Sequence, residues 1–188
     1  MIPDEKLDLG TRVNRLCALV AREGQELDEA KIADLTWAAA TADLQDRPTD
    51  NRNRGRATRL MVAAFAASYG RYMLPTRDWR LVGVEEVLGP GARVDQHWVR
   101  VADGAHLYDE IKTALRPGNL GPGPTRDQLD RYVEAGVGRW GSKFIGVRLL
   151  YVAAPRRSRL FRPGGRSVLL EDTELWFEGR RGYVGARP

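Results

Sequence analysis

Through the first 45 positions, apolar residues recur at helical spacing. Within 11–22, Val13, Leu16, Cys17 and Val20 stand three or four apart, which puts them on one face of a helix. Gly24 is a natural stop for that segment. A second helix is expected over 27–44, with Leu27, Ala30, Leu35, Ala38 and Ala42 toward one side and Trp37 anchoring its packing. The stretch 45–55 (QDRPTDNRNRG) holds a proline and no apolar side chain, so it reads as a linker. It sets the expected boundary between an N-terminal helical part, residues 1–50, and a body, residues 56–188.

The body opens with an alanine-rich helix over 56–73 carrying Leu60, Met61, Ala64, Phe65 and Tyr72, and Pro75 stops it. The period then changes. Residues 79–88 (WRLVGVEEVL) read as a strand closed by Gly89-Pro90-Gly91. Residues 92–101 alternate around Val94 and Trp98, Asp103-Gly104 is a favoured tight-turn dipeptide, and 105–113 (AHLYDEIKT) is the returning strand. Together 79–113 predict a three-stranded antiparallel meander. A glycine- and proline-rich loop spans 116–124, and a helix starts near Thr125 and is broken up by Gly136, Gly138 and Gly141. Residues 147–154 (VRLLYVAA) form a nearly continuous apolar run, as in a strand buried on both faces, and 167–177 predict a further strand or strand pair. The order describes a mixed α/β core with a helix crossing between strands.

Composition narrows the chemistry. With 188 residues, 43% apolar and 29% charged, the chain has the size of one domain with a helical appendage. No apolar run reaches the roughly 18–20 residues that span a bilayer, so no membrane association is expected. The first residues lack a basic segment followed by an apolar core, so the expected compartment is the cytoplasm. One cysteine, Cys17, excludes an internal disulfide and a cysteine-rich zinc or iron–sulfur site, and reads as a small core residue. The two histidines, His97 and His106, read as strand-surface residues and are too few for most histidine-based metal sites.

The net charge of +5 is unevenly spread. Residues 1–55 hold 8 basic and 11 acidic groups, a net of −3, which leaves +8 on the rest. A basic body points to an anionic partner, nucleic acid first, against the plainer reading of a solvated surface. Among the basic residues, 26 are Arg and only 4 are Lys, so each lysine position carries information.

One of those lysines falls in a suggestive place. Asp95 lies mid-strand, where aspartate is disfavoured. Glu110-Ile111-Lys112 lies in the next strand, where alternation puts Glu110 and Lys112 on one face. Gln128 and Tyr132 stand four apart on the following helix and share a face. Two carboxylates, the Ile111 backbone carbonyl and water can hold a hard cation such as magnesium. The cation would stabilise charge on a phosphate and acidify a bound water, with Lys112 orienting that water and Gln128 and Tyr132 holding phosphate or lysine. Acid-x-Lys occurs three times in the chain, but only the one at 110–112 follows a predicted hairpin, and Gln-x-x-x-Tyr occurs once. Rival structural readings exist: Glu110 and Lys112 as a solvated strand face, Tyr132 as a core aromatic, and Gln128 as a capping-box partner of Thr125.

In this order, Asp95, Glu110-x-Lys112 and Gln128-x-x-x-Tyr132 resemble the PD-(D/E)XK nuclease superfamily, and the last element resembles its RecB-like branch. The resemblance covers roughly 56–155. It implies a restriction-endonuclease-like core, a central mixed sheet with an antiparallel meander flanked by helices. It also implies Asp95 and Glu110 as metal ligands, Lys112 as catalytic lysine, and Gln128 and Tyr132 on the substrate side. Val94 stands where the name-giving proline would be. Many members carry a glutamate or histidine on the first core helix; 56–73 has neither, and Glu85 or Glu86 is the candidate substitute.

The resulting expectation is a magnesium- or manganese-dependent DNA nuclease, an endonuclease or an exonuclease. The alternatives are a catalytically inactive DNA-binding subunit of a larger assembly and a nuclease directed at RNA. Arg116, Arg126, Arg131, Arg156, Arg157 and Arg159 are the expected phosphate contacts, with Arg139, Arg162 and Arg166 nearby. Phe161 is expected to pack, with base stacking as the rival role. The N-terminal helices are candidates for homodimerisation or for a protein partner.

Overall fold

Helix α1 (Asp4–Glu23) carries the expected apolar face: Val13, Leu16, Cys17 and Val20 are all buried. The computed structural model describes residues 4–46, 52–114, 123–165 and 167–178. A short 3-10 turn at Gly24–Glu26 leads into α2 (Glu29–Asp46). The buried stripe of α2 is Ile32, Thr36 and Ala40, not the predicted alanine face: Ala30, Ala38 and Ala42 are not buried, and Trp37 is exposed. Ile32 decides the rotation because it buries far more apolar area than an alanine does. It closes on Gly70 of α3 (Arg52–Tyr72), where an added Cβ would come within 2.6 Å of it. Trp37 instead lies under the Arg59 guanidinium, 4.9 Å from the ring centre.

Helix α3 starts inside the expected linker, so residues 52–55 are helical; 47–51 lie outside the described residues. Its buried side chains are Val62, Ala63, Ala66 and Tyr69, while Leu60 and Met61 are exposed. Helix α3 groups with α1 and α2. The chain divides into two compact units, residues 1–76 with 177–188 and residues 77–176. Within the first unit the Phe177 N–H reaches the Tyr72 carbonyl at 3.2 Å.

The second unit is a six-stranded mixed sheet in the order β1-β2-β3-β4-β5-β6. Strands β1 (Trp79–Gly89), β2 (Ala92–Arg100) and β3 (His106–Lys112) form the predicted antiparallel meander. Gly104, at φ +70, supplies the turn between β2 and β3, and Asp103 braces it by accepting from Arg100 and from the Ala105 N–H. Helix α4 (Pro124–Trp140) crosses from β3 to the parallel β4 (Phe144–Tyr151). Gly136 and Gly138 do not break this helix, and Gly141 caps its end. Gly136 is buried against Phe144, and a Cβ there would come within 2.4 Å of that ring, so the glycine admits the close helix–strand approach. Leu129 and Tyr132 of α4 pack with Tyr108, Val147, Leu149 and Phe161.

Beyond β4, the short strands β5 (Arg159–Phe161) and β6 (Ser167–Leu169) run antiparallel. The sequence pattern did not point to β5, and it extended the last strand too far. After β6 the Thr173 hydroxyl donates to the Leu170 carbonyl and accepts the Leu175 N–H, closing a local turn that competes with strand pairing.

The sheet is pinned from within by an ion pair that the sequence pattern did not reveal. Arg148 of β4 donates from Nε and Nη2 to Asp109 of β3 at 2.7 and 2.6 Å, and the Trp98 indole donates to the same carboxylate at 2.9 Å. Both charged side chains are fully buried. No helix among the described residues is long and apolar enough to cross a membrane.

Candidate functional site

The antiparallel ladder of β2 with β3 ends at the Gln96–Asp109 pair. Immediately past it, Asp95 on β2 and Glu110 on β3 come together. The Asp95 carboxylate takes over from the ladder and accepts the Ile111 backbone N–H at 2.6 Å. Glu110 is buried and holds the Lys112 ammonium, its neighbour two positions along the same strand face. Lys112 also donates to Gln128 Oε1 of α4 at 3.2 Å. Gln128 Nε2 lies 2.6 Å from the Tyr132 hydroxyl, which donates to the Arg93 carbonyl at the start of β2. All five side chains singled out from the sequence thus belong to one connected cluster.

Its electrostatics are unusual. Burial, reinforced by the negative charges of Glu110 and Glu85, pushes the Asp95 carboxyl up to about 8; the Ile111 N–H and Lys112 pull the other way. The Tyr132 hydroxyl is also raised, first by burial and then by Glu110. Two carboxylates beside one ammonium are short of positive charge. A cation, or a proton on Asp95, relieves that deficit.

The helix geometry separates the rival readings of Gln128. Helix α4 begins at Pro124 behind Gly123, and no side chain caps that end. The Gln128 amide is committed to Lys112 and Tyr132, so no capping box with Thr125 forms. Tyr132 is a buried core aromatic and a member of the cluster at once.

Of the two glutamates on β1, Glu85 belongs to this cluster. It bears on Asp95, pairs with Arg93 at 3.0 Å, and holds a left-handed φ of +53, a conformation that costs a non-glycine residue about 1–3 kcal/mol. Glu86 points to a different group, His97 at 2.7 Å and Arg139 at 2.7 Å. No set of three or more His, Cys, Asp or Glu side chains placed to hold a metal occurs among the described residues. A cation here would rest on Asp95, Glu110, a backbone carbonyl and water.

The arginines divide by partner. Arg126 is paired with Asp130 at 2.9 Å, Arg156 with Glu171 at 2.9 Å, and Arg162 with Glu174 at 3.8 Å. Arg159 sits in β5 and reaches Ser167 at 3.5 Å. Arg131 and Arg157 are exposed and make no ion pair with a described residue. Arg116 and Arg166 lie outside the described residues. Phe161 is buried, with the Arg126 guanidinium 5.6 Å from its ring centre, which is the packing role.

His97 is not the strand-surface residue expected, while His106 is half-buried. His97 is buried, its Nε2 lies 2.9 Å from His106 Nδ1, and both rings sit beside Trp140. The observed register pairs Val99 with His106 and His97 with Tyr108, which makes the two histidines diagonal neighbours on one face. A two-residue turn at Asp103-Gly104 would pair Val99 with Tyr108, so the sequence alone does not bring the two rings together. No protein-family model matches the chain, and no curated protein matches it.

Proposed function

We propose that the second unit is a metal-dependent DNA nuclease with a restriction-endonuclease-like core of the PD-(D/E)XK kind. One observation carries this reading: partly buried Asp95 and buried Glu110 meet where the β2–β3 ladder ends, beside a lysine held from α4. The donor set suits a hard cation, because carboxylate and carbonyl oxygens favour magnesium or manganese over softer metals. Asp95 and Glu110 would hold it, with the Ile111 carbonyl as backbone donor. The ion would supply Lewis acidity at a phosphate oxygen and acidify a bound water.

The remaining work falls to the chain's own side chains. Lys112 places positive charge where the attacking water and the phosphate would meet, which orients the water and offsets charge that builds on the phosphate. Gln128 fixes the ammonium, and Tyr132 fixes Gln128 against the Arg93 carbonyl. Exposed Arg131 and Arg157 are available for phosphate. Calorimetric titration with manganese tests the site: wild-type protein binds the ion, and Asp95→Asn binds it at least about tenfold more weakly. Equal affinity in the two proteins would remove the assignment.

A second reading has its own observation. Residues 56–73 carry no glutamate or histidine, and among the described residues no third side-chain ligand joins Asp95 and Glu110. That favours a DNA-binding subunit without catalysis, in which DNA binding is salt-sensitive and survives Lys112→Ala, and no metal-dependent cleavage occurs.

A further inference from the structure

On the same sheet unit, a relay of side chains ends on a nitrogen with nothing to bind among the described residues. A carboxylate only accepts, so the contact of Glu86 Oε2 with His97 Nδ1 at 2.7 Å puts the proton on that nitrogen. Burial holds the His97 imidazole below its usual pKa and so neutral. Its Nε2 is then an acceptor, and His106 Nδ1, 2.9 Å away, donates to it. This leaves the lone pair of His106 on Nε2, which has no hydrogen-bond partner among the described residues.

Both ends of the relay are locked. Arg139 holds the other Glu86 oxygen at 2.7 Å. The His106 ring stacks on Trp140 with centroids 3.7 Å apart and planes 7° from parallel, and the Trp140 indole donates to the Tyr108 hydroxyl at 2.7 Å. A histidine pair serving packing alone has no need of a carboxylate that fixes the tautomers of both rings.

His106 lines an open groove of about 530 Å³, within the size range of small-molecule sites. Val82, Val84, Val99 and Trp140 give it apolar lining. Arg80 lines it as well, and its side chain makes no ion pair or hydrogen bond with a described residue. Lys143 lies near enough to act on His106. Glu86 is the carboxylate that lines the groove among the described residues, and Arg139 already neutralises it. Burial holds the His106 imidazole below its usual pKa, aided by His97 and Lys143, so the neutral ring keeps its acceptor.

We propose that this groove binds a nucleoside monophosphate, with the phosphate on Arg80, the ring against the valines and Trp140, and an N–H or O–H donating to His106 Nε2. The same chemistry arrives either as a free nucleotide or as the phosphorylated end of a nucleic-acid strand. The groove shares no side chain with Asp95, Glu110 or Lys112, so it stands independently of the nuclease reading.

The test is an NMR titration of histidine-labelled protein with AMP, with adenosine and inorganic phosphate as separate probes. AMP should shift the His106 ring resonances saturably in the millimolar range or below, with each fragment at least about tenfold weaker. Arg80→Gln alters one exposed side chain and should weaken AMP several-fold; His106→Phe keeps the stack on Trp140, loses the acceptor, and should do the same when binding is read on the His97 ring, which lines the same groove. Asp95→Asn should bind AMP like wild type. A 5′-phosphorylated oligonucleotide that binds more tightly than AMP identifies the strand end as the ligand, and equal or weaker binding identifies the free nucleotide. Absence of a saturable His106 shift with both AMP and the oligonucleotide, or full binding by Arg80→Gln, overturns the proposal.

Discussion

The Lys112 ammonium lies 3.2 Å from Gln128 Oε1, tying strand β3 to helix α4 across the candidate site. This bond fixes where the positive charge of the cluster sits. Gln128→Ala releases it without opening the core, because Gln128 is only partly buried. The expected result is a fall in kcat of about tenfold or more from lost positioning, with the melting temperature nearly unchanged. Gln128→Glu keeps an acceptor for Lys112 and should retain more activity. Parallel rate and melting measurements check both.

Asp95 predicts an inverted pH profile of stability. Its carboxyl titrates near the ordinary 3.8 when unfolded and at about 8 when folded. The folded state therefore holds the proton more tightly, and the contribution is fully present below about pH 4 and lost as pH rises to about 8. Urea unfolding of wild type should show stability falling by a few kcal/mol across that window, since each tenfold difference in proton affinity between the two states is worth about 1.4 kcal/mol. Asp95→Asn should flatten the fall, and magnesium should reduce it in wild type alone.

The buried Asp109–Arg148 pair predicts a sharp asymmetry. Asp109→Ala leaves a guanidinium buried without its partner and should cost about 3–5 kcal/mol in urea unfolding. Replacing both by apolar residues of similar volume, Asp109→Leu with Arg148→Met, should cost less than the single change.

Arginines without an acidic partner among the described residues should dominate any phosphate contact. Arg131 and Arg157 have no such acid to leave, whereas Arg126 and Arg156 must give up Asp130 and Glu171. Arg157→Gln should lower DNA affinity uniformly across sequences and reduce the slope of log affinity against log salt by about one. Arg156→Gln should do so less. Filter binding across a salt series measures both.

The meander and the crossover helix were legible because alternation and helical spacing state them locally. Asp103-Gly104 marked the place of the turn but not its register, since the hairpin closes on Arg100 and Ala105 around 101–104. The Asp95, Glu110, Lys112, Gln128 and Tyr132 cluster was legible because strand and helix periods project those side chains inward. Three features were hidden by long-range packing. The face of α2 followed Ile32 against Gly70, not the alanine count. Gly136 read as a breaker when it is a contact with Phe144. Arg148 falls within an apolar run, and its partner Asp109 lies 39 positions away. The Glu86–His97–His106 relay needed the register of two hairpins at once.

The most direct measurement is cleavage of supercoiled plasmid by wild-type and Lys112→Ala protein, each with magnesium, with manganese and with EDTA. Wild type should give nicked or linear product with either metal and none with EDTA, and Lys112→Ala should lose about two to four orders of magnitude in rate. Undiminished cleavage by Lys112→Ala, or no cleavage by wild type with either ion, would contradict the assignment.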